Sequence, residues 1–199
     1  MSQTADTSAT SPHYSGPAGL TAGRLGVWIL ISSEIVLFAG LIGSYILFRM
    51  AHSEWAEESR KLNLIAGTLN TLLLLTSNFF MMKAGARAEE EKLEESKNFM
   101  QYTILLAFGF LGVKAFEYTM ELGHGDTPAS GDFWSFYFLM TGIHALHILG
   151  GIVAIGLLWL RAVKGTLGPL RHRVALTGLY WSFVEIVWIF LFPLLYLLV

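Results

Sequence analysis

Cysteine and charge are both scarce in this sequence of 199 residues. With no cysteine, the chain cannot form a disulfide, an iron–sulfur cluster or a thiolate-ligated copper site, so any redox metal would need His, Met or carboxylate ligands. Charged residues make up only 14% and hydrophobic residues 54%, with a mean hydropathy of +0.54. This composition is too apolar for a soluble domain and indicates a membrane protein.

Basic stripes and a secretory signal are missing as well. The net charge is -2, and no basic stripe could follow a phosphate backbone, which excludes nucleic acid as a partner. Residues 1–24 are rich in Ser, Thr, Gly, Ala and Pro and lack the basic and apolar regions of a signal peptide. They are predicted to form a disordered tail in water.

Five apolar runs are present, at about residues 25–48, 62–82, 99–120, 133–160 and 174–198. Each is long enough, at about 1.5 Å rise per residue, to cross a hydrocarbon core about 30 Å thick. The runs are apolar nearly all round, as lipid-facing helices must be. The sequence therefore predicts an all-α fold in which residues 25–199 form a single domain of five transmembrane helices.

Lysine and arginine in the connecting segments predict an orientation. Nine of them fall on the side of the N-terminus and three on the other side. By the positive-inside rule, the N-terminal tail is cytoplasmic and the C-terminus lies outside, which we expect in the inner membrane of a bacterial cell. The charged stretch 83–97 is expected to be a solvated helical extension of the second span with internal ion pairs.

Six polar residues in the predicted spans form the candidate site, which we call the polar seam: Glu34, Glu117, Thr141, His144, His147 and Glu185. A charged group at the middle of a span costs about 2.5–3.5 kcal/mol on insertion scales, so each is expected to face protein or water. Lys114 is three residues from Glu117 and is predicted to pair with it. Glu34 and Glu185 have no such neighbour, so they are either protonated or paired from another helix.

His144 and His147 are three residues apart and share a helical face with Thr141 and Gly151. A metal site would need further ligands, such as Glu34, Glu117 or Glu185, at the same point. No predicted span contains a Glu-x-x-His motif, and no other span contains a histidine. A hydrogen-bonded structural role is therefore favoured, with no metal or other cofactor in this chain. Replacing either histidine is expected to loosen the fold or its attachment without removing a metal.

Five motifs in order carry a family resemblance: WILISSEIVLF, LNTLLLLTS, KAFEY, TGIHALHILGG and YWSFVEIVWIFLF. The chain resembles subunit III of the haem–copper respiratory oxidases in its five-helix bacterial form. The resemblance implies a non-catalytic subunit that packs against subunit I, together with subunit II, and supports stability and proton uptake. Haem and copper would lie in those partner subunits, which reduce oxygen to water. It also implies bound phospholipid and, for Glu34, an intramembrane carboxyl that faces the catalytic subunit.

Two departures from the family pattern leave alternatives open. Ser182 and Glu185 stand where the family usually has His and Asp, which hints at a divergent branch such as the accessory subunit of a nitric oxide reductase. A stand-alone proton-coupled transporter using Glu34 and Glu185 is a second alternative. It is disfavoured because the sequence has no inverted repeat and Pro193 is the only proline in a predicted span. A metal-dependent membrane enzyme is a third.

Overall fold

The computed structural model describes residues 22–198, and these are almost entirely helical. Six α-helices follow each other along the chain: α1 (Ala22–Ala51), α2 (Trp55–Lys61), α3 (Leu64–Glu89), α4 (Leu93–His124), α5 (Asp132–Val163) and α6 (His172–Phe192). A 3₁₀ turn, Gly168–Leu170, precedes α6, and a π-helical turn, Pro193–Leu197, follows it. The predicted all-α fold is confirmed.

Five of these helices, all except α2, are long and apolar enough to span a membrane, as predicted. Their ends differ from the predicted ones, most clearly in α4, which begins six residues earlier, at Leu93, and continues to His124. The apolar window marks only the part of a helix that lipid surrounds, whereas the backbone hydrogen bonds continue into water. Of the predicted tail, residues 1–21 lie outside the described range, while Ala22–Arg24 belong to α1.

The charged stretch 83–97 is a helical hairpin, which corrects part of its prediction. It extends α3 as far as Glu89, but the chain then turns, with Glu91 at φ +62°, and the remainder opens α4. The expected ion pairs are present, since Arg87 contacts Glu90 at 2.7 Å and Glu95 at 3.0 Å. Arg171, before α6, also reaches Glu91 at 2.9 Å. We call this end of the bundle the hairpin end and the opposite one the α2 end.

The spanning helices form a ring with one helix outside it. α3 packs against α4 and α6, and α5 closes the ring by packing against the same two helices. α1 lies outside, against α6 and α5. In the most apolar 18-residue stretch, 50% of residues are buried in α6 but only 11% in α1. α6 is therefore central to the bundle, and most of α1 is left to face lipid or a partner.

Two glycines end helices in the left-handed conformation that favours this residue. Gly125, at φ +91°, follows α4, and the next amide, of Asp126, donates to the carbonyl of Glu121 at 3.0 Å. Gly165, at φ +68°, follows α5, and the amide of Thr166 donates to the carbonyl of Arg161 at 2.9 Å. Both turns satisfy helix-end carbonyls and return the chain towards the bundle.

Candidate functional site

Glu34 of α1 and His147 of α5 form a hydrogen-bonded pair inside the membrane-spanning region. His147 Nε2 lies 2.9 Å from Glu34 Oε2, and the side chains are only 16% and 19% exposed. His147 Nδ1 lies 2.8 Å from the carbonyl of Ile143, which can only accept, so Nδ1 carries a hydrogen. The Tyr180 hydroxyl in turn donates to the His147 carbonyl at 3.1 Å. Hydrogen bonds to Glu34 of α1 and Tyr180 of α6 thus position His147 and its backbone from two neighbouring helices.

This geometry fixes how many protons the pair must hold. With Nδ1 protonated, a neutral His147 has a lone pair at Nε2, which can only accept from a protonated Glu34. If Glu34 is ionised, Nε2 must carry the proton and donate it. In either state one proton lies between the ring nitrogen and the carboxyl oxygen, so the partner for Glu34 comes from another helix, one of the two possibilities left open by the sequence.

A cavity of about 740 Å³ leads from this pair towards the hairpin end, between α1, α5 and α6. Its walls are mostly apolar, with Tyr180 and Thr177 among the few polar groups near the pair. His172 and Arg173, at the start of α6, lie at its other end. The cavity thus combines a long apolar wall, a basic end and one proton-sharing pair.

His144 has different surroundings, although it is one turn away on the same helix. Its ring is fully buried and has aromatic neighbours on three sides, with ring centroids at 5.2 Å for Trp188, 5.7 Å for Phe110 and 6.5 Å for Phe38. Within residues 22–198, neither ring nitrogen has a hydrogen-bond partner. His144 therefore packs as an aromatic ring, and only His147 makes the polar contacts expected of both.

The donor geometry does not suit a metal or a haem. Both ring nitrogens of His147 already make hydrogen bonds, and His144 is surrounded by aromatic rings, with neither of its nitrogens bonded to a residue within 22–198. In the described range, no three His, Asp or Glu side chains come together as metal ligands would. The two histidines that the sequence places side by side therefore do not converge on one ligand.

A second buried cluster surrounds Lys114 on α4. Lys114 Nζ donates to Glu117 Oε2 at 2.8 Å, to the Tyr196 hydroxyl at 2.7 Å and to the Tyr137 hydroxyl at 3.0 Å. Tyr196 donates its own hydroxyl hydrogen to Glu117 Oε1 at 2.5 Å. The ammonium also lies 5.5 Å from the ring centroid of Trp188, within reach of a cation–π contact. The predicted Lys114–Glu117 pair is confirmed, and both partners are almost fully buried.

The π-helical turn places Tyr196 in this cluster. A π turn frees carbonyls from the α-helical pattern, and here they bind other helices. The carbonyl of Leu194 accepts from Tyr45 of α1 at 3.4 Å, and that of Leu195 accepts from Ser59 of α2. Arg49 of α1 donates to the carbonyl of Leu198. The C-terminal segment therefore connects α1 and α2 to the buried Lys114 cluster.

Thr141 and Glu185 lie apart from the Glu34–His147 pair. The Thr141 hydroxyl lies 2.6 Å from the hydroxyl of Tyr118 and donates to its own helix at Tyr137, so it borders the Lys114 cluster. Glu185 is 6% exposed on the face of α6 towards α3, beside Asn78. Of the six residues of the polar seam, the structure brings only Glu34 and His147 into direct contact.

The sequence model of the family described as "Cytochrome c oxidase subunit III" matches residues 11–199. The chain belongs to the cytochrome c oxidase subunit III family. It is 33% identical over 176 residues to "Cytochrome c oxidase subunit 3" of Thermostichus vulcanus, covering 87% of this chain and 86% of the relative. It is 32% identical over 174 residues to "Probable cytochrome c oxidase subunit 3" of Mycobacterium tuberculosis (strain ATCC 25618 / H37Rv), covering 86% of each. It is also 32% identical over 180 residues to "Quinol oxidase subunit 3" of Bacillus spizizenii, covering 87% and 86%.

As a subunit III, the chain is a membrane protein of a multisubunit haem–copper terminal oxidase. Ser182 and Glu185, the two residues that depart from the family pattern, both lie beside Asn78 of α3. Ser182 donates to Asn78 of α3 at 2.9 Å, and Glu185 borders the same amide. The polar groups of α6 on this face therefore bind α3, within the ring of helices.

Sequence reasoning missed the two tyrosines that complete the Lys114 cluster. Tyr137 and Tyr196 lie near the ends of apolar runs, where tyrosine ordinarily marks the membrane interface. The available signal was Lys114 itself, because a buried ammonium has three hydrogens and Glu117 alone cannot accept all of them. Hydroxyl groups from neighbouring helices were the remaining acceptors to look for.

Proposed function

We propose that this subunit III is non-catalytic and supports the stability and proton uptake of subunit I, with the Glu34–His147 pair as its functional centre. The observation that carries the proposal is the 2.9 Å contact between His147 Nε2 and Glu34 Oε2 at one end of a cavity that reaches the basic residues at the start of α6. Ionisable groups inside a membrane cost free energy, so those that are present usually pair with each other or take part in proton transfer.

The environment of the pair supports a role at a surface of the subunit. Glu34 lies on α1, whose apolar stretch has the smallest buried share of the five spanning helices, at 11%, and its side chain is 19% exposed. A carboxyl on this outer helix can face a neighbouring subunit while it keeps its hydrogen bond to His147 of α5. The Lys114–Glu117 ion pair, in contrast, is almost fully buried within the ring of helices and suits a structural role.

The cavity supports a bound phospholipid as part of this function. Its apolar walls match an acyl chain, and Arg173 and His172 at its basic end match a phosphate headgroup. By the positive-inside rule, the excess of lysine and arginine at the hairpin end supports a cytoplasmic location for that end and for the N-terminus, with the C-terminus outside, in the inner membrane of a bacterium. The headgroup would then lie in the cytoplasmic leaflet.

Subunits I and II are the proposed partners, with haem and copper in them and oxygen as the substrate. The relatives carry both cytochrome c oxidase and quinol oxidase names. The first test is deletion of the chain. The remaining oxidase should keep its haem spectrum but lose activity during turnover faster than the intact complex.

A sharper test replaces the proton-sharing carboxyl in the assembled oxidase. Glu34→Gln keeps the size of the side chain, and its amide can still donate to His147 Nε2, but it can neither release nor take up a proton, so inactivation per turnover should be faster than in wild type. Ser33→Ala is the matched control, because Ser33 is exposed and its hydroxyl donates only to its own helix, at Leu30. Equal inactivation in Glu34→Gln and Ser33→Ala would remove Glu34 from the mechanism.

Purification of the complex separates the competing functions. The chain should copurify with an oxygen-reducing haem–copper subunit. Copurification with a nitric oxide reductase, or a proton flux catalysed by the chain alone in vesicles, would overturn the assignment.

A further inference from the structure

A second cavity, of about 250 Å³, lies beneath α2 at the opposite end of the bundle from the Glu34–His147 pair. Its wall contains residues from three helices, and Ala66, Phe116 and Met120 are its apolar members. The polar residues are Lys61 of α2, Asn63 before α3, and Glu117, Glu121 and His124 of α4. The volume is enough for several water molecules, since each occupies about 30 Å³ in the liquid. Because its lining is polar, the cavity can hold water, whereas an apolar cavity of the same size would stay empty.

Glu121 is the residue in this wall that requires a partner. Its side chain is 3% exposed, and within residues 22–198 its Oε2 accepts no hydrogen bond. A buried carboxyl oxygen without a partner costs several kcal/mol, so such atoms in folded proteins are bound by water or an ion. Because Glu121 is four residues after Glu117, both carboxyls lie on the same face of α4 and border the same cavity.

The neighbouring cation does not satisfy Glu121. Lys61 Nζ donates to Glu58 at 2.7 Å, and Glu58 also accepts from the Trp134 indole at 2.9 Å. This hydrogen bond to Glu58 raises the pKa of the Lys61 ammonium, which stays charged at the rim. Asp126, just beyond α4, adds another carboxylate near Lys61. The surroundings of Glu121 are therefore rich in carboxylates, and no described cation contacts its free oxygen.

We propose that this cavity is a water-filled inlet through which the solution at the α2 end reaches the buried Lys114–Glu117 pair. Water donates to Glu121 Oε2 and continues to Glu117, which lines the same cavity. A proton taken up by Glu121 comes from water in the inlet and returns to it, so no net reaction occurs. The Lys114–Glu117 ion pair is then open to the α2 end, whereas the cavity beside the Glu34–His147 pair leads towards the hairpin end.

Aromatic rings separate the two routes. His144 lies between them on α5, and Phe38, Phe110 and Trp188 surround it. None of these three side chains offers a polar atom towards the ring of His144 that could continue a chain of water. The inlet therefore ends at the Lys114 cluster and does not cross the membrane.

Because the chain contains no cysteine, single cysteines can be introduced and probed with a water-soluble methanethiosulfonate reagent on the purified oxidase in detergent. Glu121→Cys and Ala66→Cys both place a thiol in the inlet wall. Ala66→Cys adds one atom to a small residue, so the test holds even if loss of Glu121 disturbs folding. Ala107→Cys is the control, since Ala107 is also buried, at 0% exposed against 8% for Ala66 and 3% for Glu121, but lies outside the cavity.

Both inlet thiols should be modified at least about tenfold faster than Cys at position 107, because the reactive thiolate forms in water and is suppressed in apolar surroundings. The readout is the mass of this chain, so cysteines of other subunits do not interfere. Modification of both inlet thiols at the rate of the control would overturn the inlet. So would fast modification of all three positions, which would indicate general opening of the bundle. The result does not depend on the function proposed for Glu34.

Discussion

Gly151 on α5 is the position where a single methyl group should disturb the bundle most. A Cβ atom there would lie 2.5 Å from Cζ3 and 2.6 Å from Cε3 of Trp181 on α6, against about 3.5–4.0 Å for a normal carbon–carbon contact. The indole cannot move aside easily, because it is 1% exposed and its Nε1 donates to Ser77 of α3 at 3.2 Å. In Gly151→Ala, α5 and α6 must therefore separate by about 1 Å.

Overpacking of this kind costs about 1–3 kcal/mol, while replacing a helical glycine by alanine regains about 0.5–1 kcal/mol. Gly156→Ala is the matched control on the same helix, because a Cβ at Gly156 meets no heavy atom within 4 Å and only the gain applies. The free energies of unfolding of the two variants should differ by about 2 kcal/mol, or about 4–8 °C in the midpoint of thermal unfolding of this subunit in the purified oxidase. Equal midpoints would show that the α5–α6 contact is loose.

Two further predictions use the same thermal assay. Lys114→Met should destabilise the subunit by about 3–5 kcal/mol, because it leaves the Glu117 carboxylate buried without its cation, and adding Glu117→Gln should restore most of the loss. If the double variant is no more stable than the single one, the charge balance is not what stabilises the cluster. His144→Ala should cost about 2–4 kcal/mol through lost packing, whereas His144→Leu should cost less than about 1.5 kcal/mol, since its nitrogens bind no residue within 22–198. Equal losses would indicate that the ring nitrogens bind a group outside this chain.

The number of spanning helices and the Lys114–Glu117 pair could be predicted because both depend on local sequence. A hydrophobic run long enough for a membrane predicts a helix whatever surrounds it, and a spacing of three residues brings two side chains together on any helix. The short helix α2 was missed because its seven residues are mostly charged and lack an apolar period.

The contact between Glu34 and His147 could not be derived in this way. The two residues are 113 positions apart, and their meeting depends on which face of α1 packs against α5. The different surroundings of His144 and His147 also depend on packing between distant helices. The sequence pattern places both residues on one face of α5, but Phe110 and Trp188 pack around His144 only. The position of Tyr196 depends on a π-helical turn. Pro193 predicts an irregular helix at this point but not which kind of turn forms.

The position of α1 outside the ring has a consequence for how the protein is made. α1 is synthesised first, yet it packs against α5 and α6, which are synthesised last. At about 5–20 residues per second, the 113 positions from Glu34 to His147 take about 6–23 s to translate. During that time the Glu34 carboxyl is in the membrane without its histidine. The strongly apolar composition of α1 therefore has to keep this helix in the bilayer by itself until α5 and α6 are inserted and pack against it.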